Sequence, residues 1–132
     1  MPAPLTPGLQ LIDATLVNQI LSQIFSYQDG ITAHAGGGQA NAVKLTACMN
    51  YVSVVATTGD SVELPSALPN PSFGISLVFI RNAGAQTLDV YPASGEQINE
   101  GGANVAFTGM TAGKSCVFFC AHKGEWSAIL TA

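Results

Sequence analysis

Glu96 and Glu100 have the spacing in this chain that most invites a chemical role. They lie in a stretch, 90–107, that joins two apolar strand-like runs through Pro92, Gly95, Gly101 and Gly102. A loop held on a β scaffold is where binding and catalytic residues usually sit. Paired carboxylates could act as acid and base on a glycoside, which needs a cleft and one raised pKa. They could also bind Ca²⁺, which needs six to eight oxygens. Nothing else in the sequence supplies those further groups, so the loop is assigned to solvent or to an interface. Its contact candidates are Glu96, Asn99 and Glu100.

The remaining constellations are weaker. Cys116, Cys120 and His122 share one face of an extended run, but along a straight strand they cannot converge on one ion. Four strand residues separate the two cysteine Cα atoms by about 13 Å, beyond the roughly 7 Å limit for a disulfide. With Cys48 the count is odd, and Cys116 and Cys120 are expected as small buried apolar groups. The glycine-rich stretch 35–41 lacks the Lys-Ser/Thr ending and following helix of a phosphate loop, and suits a hairpin connection. Ser115 and the other serines show no nucleophile elbow. Trp126, the lone tryptophan, could stack on a sugar but fits a core plug better. The expectation is a non-enzyme with no catalytic residue, no metal site and no cofactor.

The elements that must carry these residues follow from pattern. The 132 residues fit one domain with a sizeable core. Only 9% are charged, with a net charge of −4. A typical soluble domain of this length would carry about 33 charged residues, so much of the surface is expected to meet other subunits. Lys44, Arg81, Lys114 and Lys123 are too few and too scattered to neutralise phosphates, so nucleic acid is not an expected partner. No apolar run approaches a membrane span, and no positive n-region precedes an apolar block, so synthesis in a cytosol is expected.

Residues 1–12 form an expected extended arm. Pro2, Pro4, Pro7 and Gly8 oppose regular structure, while Leu5, Leu9, Leu11 and Ile12 need dry cover, most simply on a neighbouring subunit. Residues 13–29 are expected to form one short amphipathic helix. Asp13 serves as its N-cap, Leu16, Val17, Ile20, Leu21, Ile24 and Phe25 as its apolar stripe, and Asp29-Gly30 as its stop. The opposite face carries no charge. From 30 to 132 the period becomes two, with strands expected at 31–35, 42–47, 51–56, 61–64, 75–81, 88–91, 104–108, 114–121 and 125–131. Turns every 8–12 residues point to a mainly β fold, an antiparallel β-sandwich or jelly-roll-like domain. Two runs, 75–80 and 117–121, are apolar on both faces, as in a central strand or one at a subunit interface.

The segment Val90-Tyr91-Pro92-Ala93-Ser94-Gly95-Glu96-Gln97-Ile98-Asn99, followed by Gly102-Ala103-Asn104, Ala112-Gly113-Lys114-Ser115 and Gly124-Glu125-Trp126, resembles the short β-rich virion proteins of tailed bacteriophages. The likeness is to the capsid decoration (cement) and tail-fibre-associated kinds, and it covers 31–132. It implies a sandwich or jelly-roll-like module, a homotrimer on the capsid exterior, that binds the major capsid protein and stabilises the shell. A receptor- or carbohydrate-binding tail-fibre module is the alternative.

Overall fold

The computed structural model describes residues 14–24, 26–68 and 76–132. Leu5, Leu9, Leu11, Ile12 and the proposed cap Asp13 lie outside the described residues. Helix α1 spans Ala14–Ile24. Ten strands follow: β1 Tyr27–Thr32, β2 Val43–Lys44, β3 Met49–Val54, β4 Asp60–Glu63, β5 Leu77–Asn82, β6 Leu88–Tyr91, β7 Gln97–Ile98, β8 Phe107–Met110, β9 Ser115–His122 and β10 Glu125–Leu130. Among the described residues no helix is long and apolar enough to cross a membrane.

The strands form a larger sheet, ordered β1-β3-β5-β9-β10-β7, and a smaller one, ordered β2-β4-β6-β8. The chain changes sheet at every connection from β1 to β9, and only β9–β10 is a hairpin within one sheet. The first three visits to each sheet run in the same direction. β1, β3 and β5 pair in parallel, as do β2, β4 and β6, and β7 pairs in parallel with β10. Antiparallel ladders join β5 to β9, β9 to β10 and β6 to β8. The expected antiparallel arrangement is thus corrected: the fold is mainly β, with two mixed sheets. The physical reason is that turn residues mark where a chain bends, not whether it returns in its own layer or crosses to the opposite one.

Two boundaries also differ. The helix ends at Ile24, and Asp29-Gly30, expected as its stop, lies inside β1. There the ladder to β3 shifts register, and Gly30 takes φ 68°, a conformation open to glycine without a Cβ clash. The 96–102 loop contains a short strand, β7, that no local pattern signalled.

Alternation explains the core. In β9 the inward positions Cys116, Phe118 and Cys120 are buried while their neighbours are half-exposed. They join Val52, Val78 and Ile80 from the larger sheet and Val62, Leu88, Val90 and Met110 from the smaller one in a single cluster. Phe107 and Phe118 meet edge to face across the two layers, with ring centroids 5.6 Å apart. Trp126 is fully buried, and its indole Nε1 donates to the Pro65 carbonyl at 3.1 Å. The hydrogen bond satisfies the ring's one polar atom where water cannot reach it. Trp126→Ala should therefore cost about 3–5 kcal/mol in urea unfolding, whereas Trp126→Phe should lose distinctly less. Equal losses would show that the indole bond, rather than the ring's volume, dominates.

Candidate functional site

The buried carboxylates are structural. Asp60, at the start of β4, is 1% exposed. Its Oδ2 accepts from the amides of Ala56 and Thr57, both at 3.0 Å. Its Oδ1 accepts from the Thr57 hydroxyl at 2.6 Å and the Gly36 amide at 3.2 Å. One side chain thereby ties the β1–β2 connection to the β3–β4 turn. These donors, the Thr57 hydroxyl first, hold the carboxyl below its ordinary value. Glu63 is buried and pairs with its register neighbour Lys44 at 2.7 Å.

The 96–102 loop proves equally occupied. Both oxygens of Glu96 accept from the amide of fully buried Ala67, at 3.0 and 2.8 Å. Asn99 adopts φ 51°, takes a backbone bond from its own amide to the Trp126 carbonyl, and accepts from the Ala128 amide at 2.9 Å. Asn99 is exposed while bridging to β10, and Glu100 is exposed. Glu96 and Asn99 thus splice the loop to the body, and Glu100 is left facing solvent.

The thiols are buried in the core. Burial raises all three, and carries Cys116 up to about 11, so the reactive thiolate is disfavoured at neutral pH. His122 is exposed at the end of β9, and its carbonyl accepts from the Cys120 thiol at 3.2 Å. Among the described residues no three His, Cys, Asp or Glu side chains gather as a metal-binding group.

The feature that is not spent on stability lies on the outer face of the larger sheet. Three consecutive residues from each of β1, β3, β5 and β9, with the end of β10, line a trough of about 830 Å³. One bank is a register row, Tyr27, Met49, Phe79, Val117 and Ile129, crossing five strands. Tyr27 is 78% exposed, Ile129 61% and Met49 46%. The other bank is polar at Arg81 and Ser115 and aromatic at Tyr51. An apolar row of this kind, part exposed and part half-buried, is the sort of surface that binding partners cover. The outward residues of β5 and β9 were signalled by runs apolar on both faces. Tyr27 was hidden because local periodicity assigned it to the helix, and the alignment of five distant segments has no local signature. Comparison with protein-family models, curated proteins and solved structures returns no significant match.

Two measurements test these structural roles. Glu96→Ala leaves the buried Ala67 amide without its acceptor and should cost about 1–3 kcal/mol in chemical denaturation, with Glu96→Gln milder. For Asp60, the depressed folded value means its stabilising contribution is present above the ordinary 3.8 and is lost as pH falls through the lower folded value. The gap in melting temperature between wild type and Asp60→Asn should therefore be widest near neutrality and shrink on acidification. A gap that grows in acid would contradict this assignment.

Proposed function

We propose that this chain is a non-catalytic assembly protein of a tailed-bacteriophage virion. In this reading it is a capsid decoration (cement) protein that binds the outer surface of the major capsid protein shell and stabilises it. The observation that carries the proposal is the surface chemistry: twelve charged residues in the whole chain and a broad apolar trough left open on one sheet. A protein that acts by covering its neighbours needs such faces. The buried carboxylates and thiols are committed to holding turns and filling the core, which favours assembly over catalysis. The two-layer β form is a property shared with sandwich and jelly-roll-like modules, although its strand pairing is mixed.

The mechanism is additive burial. One interface of about 1,600 Å² gives modest affinity, while many copies that each bridge several shell subunits gain avidity. A homotrimer at a three-fold position would present Glu100 and the 1–12 arm three times over. Mixed with undecorated heads of the phage that encodes it, the protein should co-sediment with them at high copy number and raise their resistance to heat. Binding confined to tails, at low copy number, would favour the tail-fibre or receptor-binding reading. Binding to neither would remove both.

A further inference from the structure

We propose that the β1–β3–β5 part of the larger sheet's outer face is a two-fold contact between copies of this chain, with the axis running along β3. Both banks of the trough are arranged about that strand. In the apolar row Met49 stands between two aromatic neighbours, Tyr27 on β1 and Phe79 on β5. In the polar row Tyr51 stands between the Asp29-Gly30 bulge and Arg81, since two residues of β1 face one of β3 there. One row therefore reads aromatic, Met, aromatic, and the other acid, Tyr, base.

The charges decide the occupant. Asp29 and Arg81 are both exposed, and the one ion pair among the described residues is Lys44 with Glu63. Two strand spacings, about 10 Å, separate Asp29 from Arg81 within a copy. Arg81 also leans the other way, toward β9, where its Nη1 donates to the Gly113 carbonyl. Oδ1 of Asp29 accepts from the Gly30 amide at 2.6 Å, which leaves Oδ2 for a donor from outside. An acid and a base on one face call for a partner that carries them in the opposite order. The same face of a second copy, turned about β3, does so.

Other axes along a strand fail this test. A two-fold on β5 sets Arg81 against itself, and one on β1 sets Asp29 against itself. On β3 the contact is isologous, each residue meeting its counterpart's opposite number twice over. Asp29 of one copy meets Arg81 of the other, Tyr27 meets Phe79, and Met49 and Tyr51 lie on the axis. An axis along the strands also keeps the two sheets aligned, as in sandwiches whose layers stack about 10 Å apart. β9 and β10 reach past the overlap, so Ile129 stays outside it. Three strands a side fall below the standard interface of about 1,600 Å², so the pairing is weak and depends on concentration.

The inference goes beyond the capsid reading, and purified full-length protein tests it with no shell present. Sedimentation should show a monomer–dimer equilibrium for the wild type. Asp29→Lys and Arg81→Glu each oppose like charges twice, and each should weaken pairing about tenfold or more. Mixed in equal amounts, these two variants should pair with each other, because every acid then faces a base. Ile129→Glu should leave pairing unchanged, and the circular dichroism of each variant should match the wild type. If Asp29→Lys fails to fold, Tyr51→Glu and Tyr51→Lys repeat the test on the axis, each dissociating alone and pairing when mixed. A wild type that stays monomeric at its highest soluble concentration would overturn the proposal. So would charge variants that remain monomeric when mixed, or loss of pairing in Ile129→Glu. Each of those failures leaves binding to phage heads untouched.

Discussion

Connections between the two sheets leave backbone amides that the side chains of Asp60, Asn82 and Glu96 accept from, and these side chains tie the connections together. A hairpin within one sheet hands its donors to the adjacent strand. A crossing turn does so only in part: Ala33 donates to the Val54 carbonyl and Ala83 to the Val52 carbonyl, while other amides are met by side chains. Asp60 solves this for the connections around β4 by accepting four hydrogen bonds from two separate turns. Fully buried Asn82 does the same after β5, donating to the Gln86 and Met110 carbonyls and accepting from the Gly84 amide. At Gly84 an added Cβ would lie 2.5 Å from the Val55 nitrogen, so that turn packs backbone against backbone and only glycine fits. Glu96 carries the principle to the far end of the chain, where it holds the segment at Ala67.

This commitment of polar groups to turns has a functional consequence. A chain with eight acidic residues and three cysteines spends several of the acids on backbone amides or a register-paired lysine, and all the thiols in the core. What remains on the surface is mostly uncharged, and on the larger sheet it is openly apolar. Such a surface is suited to being covered.

Much was legible from pattern. Period-two alternation located eight of the ten strands to within a few residues, because an inward side chain in β9 or β6 must be apolar whichever strand lies beside it. β2 shrank to Val43–Lys44, and β7 escaped notice because two residues carry no periodicity. The core role of Trp126 followed from its type and its surroundings. The loop around Glu96 stood out for its two carboxylates, but the Glu96 carboxylate serves the Ala67 amide, a partner 29 residues away that no spacing rule could name. The helix boundary erred because Asp-Gly is equally at home in a helix stop and a bulged strand.

By itself, the sequence determined that this protein is mainly β, poor in charge, built around one core and equipped with a short amphipathic helix. Those properties live in residue types and their local periods. The tertiary structure alone decided that the chain crosses between layers at nearly every turn, which makes most ladders parallel. It alone aligned Tyr27, Met49, Phe79, Val117 and Ile129, residues from five separate strands, into one bank of a trough. Register between strands is a long-range property, fixed by which inward faces pack together, and no single stretch of chain contains it.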